Sequence, residues 1–248
     1  MKRLTLFLSL SIAPLISSAS ENTLSISLPS EQIILHYNNP VRLDQVLSDT
    51  VSQSHNSSIL VSPSTNQLFN LVKEPQITSK KRSVIKRLNQ LASSEPQLKL
   101  PINGIVKQIA SWDVGYKESI SLDFDVVRVF SHANPLLVGR YELLVQGHKE
   151  SVLVEGLVST PKQIKFLATK SISDYLSDCS LSREANSSFA WVIYPDGTYM
   201  RSGFAYWNNE NQSLAPGSSI FIGFNLDTKE VLSLEQDIVD LITMRRGL

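Results

Sequence analysis

The sequence predicts an α+β fold: two β-grasp-like domains, a helical hairpin inserted in the first, and a C-terminal amphipathic helix. Three patterns carry this expectation. Leu24, Ile26 and Leu28 alternate with Ser25 and Ser27, the period of a half-buried strand. From Val152 to Phe224 the order is strand, short helix, hairpin and closing strand. Elsewhere apolar residues recur at helical spacing. Ile102, Ile105, Val106, Ile109 and Trp112 form one such run, and Val231, Leu234, Ile238, Leu241 and Ile242 another.

The first domain opens with the alternating strand, a turn at Pro29-Ser30-Glu31 and a second strand over 32–37. Asn38-Asn39-Pro40 breaks the pattern, and Leu43, Val46 and Leu47 predict a helix over 41–51. Residues 52–67, rich in Ser, Asn, His and Gln, read as a connection. The chain is expected to be helical from Thr65, with Ile77, Val84, Leu88 and Leu91 on one face and a helix–helix turn at Pro96 and Pro101. Lys80, Lys81, Arg82, Lys86 and Arg87 cover much of the remaining face. That cluster either attracts an acidic polymer or lipid head groups, or is simply solvated. Ile120 to Val129 reads as a buried strand, followed by LLVGRYELLV with a turn or bulge at Gly139.

In the second domain, Ser171 and Asp174 have capping-box spacing before Ile172, Tyr175 and Leu176. Pro195-Asp196-Gly197 between WVIY and TYM is a hairpin turn, and Pro216-Gly217 precedes the closing strand. Acidic residues early in the last helix and Arg245-Arg246 at its end complement the helix dipole. That helix either packs on its own chain or offers its apolar face to a partner or membrane. The expected organisation is a signal peptide over 1–19, the first β-grasp-like domain over 20–64 and 113–147, the hairpin over 65–112, the second domain over 148–225 and the terminal helix over 226–248.

Composition narrows the function classes. Lys2-Arg3, the short apolar run from Leu4 to Ile16 and Ser17-Ser18-Ala19 form a secretory signal peptide, too short for a membrane span. Removing two of 23 basic residues with it leaves 21 against 23 acidic, a net charge of −2, so bulk attraction to nucleic acid is not expected. No second long apolar run follows, so no transmembrane segment is expected in the mature chain. The lone Cys179 has no internal disulfide partner and reads as a small core residue.

Catalytic constellations are weak. His36, His55, His132 and His148 lack metal-ligand spacing, and no P-loop, GxGxxG or GxSxG occurs, so no cofactor or metal is expected. Asp123 and Asp125, if on a strand, would share a face and offer paired carboxylates to a carbohydrate-modifying enzyme; the commoner reading is surface polarity. Phe204, Tyr206 and Trp207, followed by Asn208 and Asn209, suit sugar rings, whose C–H faces stack on aromatics and whose hydroxyls meet amides.

Five stretches, NPLLVGRYELLV, SISDYL, VIYPDGTY, FAYWNNE and LAPGSSIFIGF, resemble in order the GfcC-like periplasmic proteins of capsule biosynthesis. The resemblance implies β-grasp domains similar to parts of the Wza-type polysaccharide export channel. It also implies a periplasmic, non-enzymatic accessory role, with polysaccharide or the export machinery as partner. It further implies a Gly-Arg pair before Asp125. Here the stretch is Gly115-Tyr116-Lys117, and Lys117 keeps the charge without a bidentate fork. Candidate glycan or partner contacts are therefore Tyr206, Trp207, Asn208 and Lys117. The competing readings are the enzyme using Asp123 and Asp125, and a structural piece that oligomerises through the last helix.

Overall fold

The computed structural model describes residues 24–53 and 62–248, so the signal segment over 1–19 lies outside the described residues. The fold is α+β and repeats one topology twice. In the first domain, strands β1 (Leu24–Leu28), β2 (Ile33–Tyr37), β4 (Gln67–Asn70) and β6 (Gly139–Leu144) form a sheet in the order β2-β1-β6-β4. The opening and closing strands, β1 and β6, lie side by side in parallel, with Ile26 opposite Tyr141. Their outer neighbours are antiparallel. Helix α1 (Leu43–Gln53) covers one face, and a short pair of β3 (Val41–Arg42) and β5 (Leu136–Leu137) sits beside it.

The second domain follows the same plan with one more strand. Here β7 (Ser151–Gly156), β8 (Lys162–Lys165), β9 (Phe189–Ile193), β10 (Tyr199–Gly203) and β11 (Ser219–Ile222) take the order β10-β9-β11-β7-β8. The opening and closing strands β7 and β11 are again the parallel pair, and a short helix, α5 (Ile172–Ser177), lies between β8 and β9. A mixed sheet with its first and last strands parallel at the centre is the β-grasp arrangement expected from the sequence.

Three expectations need correction, and one strand, β8, has no counterpart in the sequence reading. Residues 67–70 are a strand and not the start of the helical hairpin. All four residues of β4 are buried, because Leu68 faces the first core while Phe69 lies under an arginine on the other side, so no alternation marks the strand. The helices begin later: α2 is Glu74–Ser94 and α3 is Lys99–Ser111. The β-branched run after Leu122 is a helix, α4 (Phe124–Val129). Asp123 caps it, accepting from Asp125 N at 3.0 Å and Val126 N at 3.3 Å, and that local cap outweighs the strand propensity of the run. Strand β8, KQIK, is an edge whose exposed lysines hide its period but protect it from further pairing. Finally, helix α6 (Lys229–Thr243) ends before Arg245-Arg246, which point elsewhere.

The hairpin interrupts the first domain in sequence but packs on the second. Ile77, Val84, Leu88, Ile102, Ile105 and Ile109 belong to one core with Val154, Val192, Ile220 and the α6 residues Leu234, Ile238 and Ile242. The first domain keeps a separate, smaller core of Leu24, Ile26, Leu47, Val127 and Leu143. The apolar face of α6 is thus buried against its own chain, with Ile238 and Ile242 fully covered. Among the described residues no helix is long and apolar enough to cross a membrane.

The residues after α6 fasten the two domains. Arg245 Nη1 donates to both oxygens of the buried Glu155 on β7, at 3.0 and 2.8 Å. Arg246 reaches the other way. Its Nε donates to Glu142 on β6 at 2.8 Å, Nη1 to Asp113 at 3.0 Å and Nη2 to Glu74 at 3.2 Å, with the guanidinium stacked over Phe69. Gly115 permits this, since a Cβ there would stand 2.8 Å from Nη2 of Arg246 and 2.9 Å from the Phe69 ring. Arg246→Ala is expected to cost roughly 2–3 kcal/mol in urea unfolding, between the values for exposed and fully buried ion pairs, because it strands Glu142 at the seam. Arg246→Lys is expected to recover only part of the loss, since an ammonium cannot span three carboxylates.

Candidate functional site

After α3 the chain returns to the first domain as an extended strap. Asn70 N donates to Tyr116 O at 2.8 Å and Glu118 N to Leu68 O at 2.8 Å, so the strap adds to the free edge of β4. Lys117 bridges Phe69 in this pairing. Alternation along an extended chain then sends the Lys117 side chain away from Tyr116 and Glu118, toward the second domain. Its Nζ donates to Pro195 O, at 3.2 Å, in the β9–β10 turn.

That turn is built for the approach. Gly197 has φ +93°, and a Cβ on it would lie 3.3 Å from the Lys117 ammonium. Asp196 Oδ1 accepts from Thr198 N at 2.8 Å and from its hydroxyl at 2.7 Å. The strap and the turn wall a cleft of about 440 Å³ between the domains, lined among others by Asn66, Lys117, Ser119, Ser121, Asp196 and Thr198. Burial pushes the Lys117 pKa down, with Asp196 opposing. Among the described residues no carboxylate is within ion-pair distance of its ammonium.

The acids around the cleft are already occupied. Glu118 pairs with Lys73 at 2.8 Å and accepts from Asn70 at 2.9 Å. Asp123 caps α4, while Asp125 lies in the first turn of that helix, exposed, beside Arg128. The two aspartates therefore do not share a strand face, and the paired-carboxylate arrangement expected for an enzyme is not formed. Among the described residues no group of three or more His, Cys, Asp or Glu is placed to hold a metal ion. Cys179 is half-buried, with burial pushing its thiol pKa up, which suits a packing residue.

Tyr206, Trp207 and Asn208 lie apart from Lys117. They follow β10 at the end opposite the Pro195-Asp196-Gly197 turn, with roughly 13 Å of strand between, at ~3.3 Å per residue. Tyr206 is fully exposed and Trp207 is 72% exposed. Asn208 is engaged with backbone: Oδ1 accepts from Ala205 N at 3.0 Å and Nδ2 donates to Ser188 O at 3.1 Å. It holds the turn that displays the aromatic pair. Of the basic cluster on α2, Lys80 and Arg87 pair with Asp237 and Lys80 also with Asp240, while Lys81 caps the carbonyls of Ala110 and Trp112. Arg82 and Lys86 remain exposed.

The comparisons with known proteins agree with this architecture. The family described as "Capsule biosynthesis GfcC, N-terminal" matches residues 20–148. The one described as "Capsule biosynthesis GfcC C-terminal" matches residues 160–246. The chain belongs to the GfcC capsule-biosynthesis family. Its relatives include the uncharacterized protein YjbG of Escherichia coli (strain K12), 37% identical over 146 residues. That match spans 58% of this chain and 60% of YjbG. The seam between the two GfcC parts is where the Lys117 cleft lies. What sequence reasoning missed is the second wall of that cleft: Asp196 reads only as a turn residue and Thr198 only as the start of the strand after it.

Trp207→Ala is expected to leave stability within about 0.5 kcal/mol, as for an exposed side chain without tertiary bonds. Asn208→Ala is expected to cost about 1–2 kcal/mol, because two backbone groups lose their partner. Chemical denaturation of the two variants separates a displayed residue from the one that holds it.

Proposed function

We propose that this protein is a non-enzymatic, periplasmic accessory factor of capsule or exopolysaccharide assembly that binds glycan, or a component of the export machinery, at the seam between its two β-grasp domains. The observation that carries this reading is the cleft around Lys117. It is open to solvent and walled by both domains, and the hydroxyls of Ser64, Ser119 and Ser121 beside its apolar wall of Leu68, Ile120 and Leu122 suit the hydroxyls and C–H faces of a sugar. The lysine donates to a single backbone carbonyl and retains hydrogen-bonding capacity for a ligand. Membership of the capsule-biosynthesis family supplies the biological setting, and the N-terminal signal pattern supports export.

Tyr206 and Trp207 form a second contact surface in this reading. Their turn is braced by Asn208 and by Glu210, whose side chain accepts from Ser202 at 3.0 Å, so the rings are presented at low entropic cost. The apolar face of α6 is internal, which favours attachment through the seam and this turn over attachment through the helix.

Deleting the gene in its own host is expected to change the amount or the chain length of surface polysaccharide, read on electrophoretic profiles of extracted glycan. Lys117→Met is expected to fold normally but fail to restore the profile. An unchanged profile after deletion rejects the reading. Release of new reducing ends when pure protein meets the host polysaccharide rejects the non-enzymatic part.

A further inference from the structure

The Lys117 cleft does not end at the Pro195-Asp196 turn. A second cavity of about 250 Å³ shares Ser64 and Asp196 with it and continues past Tyr194 to His148 and Lys149. A third, of about 270 Å³, shares His148, Lys149 and Pro216 with the second and runs to Lys165. Shared walls make these adjoining hollows one groove along the domain seam. A groove of this kind accommodates a chain, where a single small ligand calls for one enclosed pocket.

The charges along it are distinctive. Lys117 and Lys149 are both half-buried, and among the described residues each ammonium donates to a backbone carbonyl only: Pro195 O at 3.2 Å and Gly247 O at 2.8 Å. Lys81 on α2 is likewise held by carbonyls, while Lys80 pairs with Asp237 at 3.2 Å and Lys170 with Asp178 at 2.7 Å; what sets Lys117 and Lys149 apart is that both line one groove. Burial pushes both groove lysines toward lower pKa, and Arg245 adds to the effect at Lys149. A partly desolvated cation without a counter-ion is costly in the free protein, and an anion arriving there relieves that cost. Asp196 acts on Lys117 only from beyond ion-pair distance, and among the described residues no other acid of the groove pairs with either lysine. Glu118 is held by Lys73, Asp123 caps a helix and Asp196 is held by Thr198, while Glu150 at the far end is exposed. Lys165 stands in solvent at the last cavity; among the described residues its ammonium makes no hydrogen bond or ion pair.

We infer that the seam is a groove for an extended acidic polysaccharide, whose anionic substituents (carboxylate or phosphate) sit at Lys117 and Lys149 and pass Lys165. This rests on the glycan-binding reading above and adds to it the charge of the ligand and the course of the chain.

The test uses the full mature chain, titrated calorimetrically with polygalacturonate oligomers of two, four and eight sugars and with dextran oligomers of the same lengths. The expected result is binding of the acidic series alone, tighter with each increase in length and weaker with added salt. Lys149→Met is expected to weaken the octamer about tenfold or more. Lys165→Glu, which removes no internal bond, is expected to weaken it by about fivefold or more at low salt, the scale of one exposed ion pair, with thermal stability unchanged. It keeps the test valid if Lys149→Met loosens the Gly247 contact. Equal affinity for dextran, or affinity that stops rising at two sugars, or indifference to both substitutions, overturns the inference. If neutral oligomers bind and Lys117→Met abolishes that binding, the glycan reading stands and the acidic groove falls. If neither series binds, the groove inference is rejected, while the host-deletion experiment still judges the glycan reading on its own.

Discussion

The guanidinium of Arg246 joins parts of the chain that have no other reason to meet. It touches Glu142 and Phe69 in the first sheet, and Asp113 and Glu74 at the two ends of the helical hairpin. The helix that precedes it, α6, is rooted in the second core through Leu234, Ile238 and Ile242. Only arginine supplies enough fixed donors for this, together with a flat face to lie on an aromatic ring. Arg245 turns the opposite way, into the second sheet at Glu155, where the carboxylate is fully buried and its pKa is pushed up by that burial against the pull of the arginine. Two consecutive residues thus hold one domain each.

The hairpin makes the same joint from the other side. It leaves the first domain after β4, packs its apolar face into the core of the second, and returns as the strap that carries Lys117. The first core is small, and the hairpin adds nothing to it. Ordering of the strap therefore depends on the hairpin being docked, and docking depends on α6. Lys80 and Arg87 on α2 reach Asp237 on α6, so even the exposed side of that contact is paired. Domains connected by one linker move freely by default. Here three chain crossings and the arginine pair oppose such motion.

Much of this was legible in the sequence wherever a short-range signal coincided with a repeating one. Leu24, Ile26 and Leu28 alternate and are a strand. Ser171 and Asp174 have capping-box spacing, and the reciprocal bonds are present at 3.3 and 2.8 Å. The failures have the opposite character. Gln67 to Asn70 are buried on both faces, which erases period two. Phe124 to Val129 carry strand-forming residues, and a single capping aspartate decides the outcome. The apolar face of the hairpin announces burial but cannot say against what. Arg245 and Arg246 looked like dipole partners because their true partners lie 90 and 104 residues away. Of the candidate site, Lys117 stood out through the family resemblance and the Pro195-Asp196-Gly197 turn through its own residues, but not their meeting, since that wall exists only once the domains are joined.

The same joint bears on what kind of work the cleft does. Glu118, Asp123 and Asp196 are all within the cleft's walls, and each is held by bonds that shape the protein: a lysine, a helix N-terminus and a turn. The cleft's wall also carries the hydroxyls of Ser64 and Ser119 and a lysine anchored on a carbonyl. Because the cleft's two walls come from different domains and are fixed by the arginine pair, the ligand meets donors already in position, and little ordering cost remains for binding. That fixed placement of the cleft's walls is the property that the two crossed arginines and the borrowed hairpin secure.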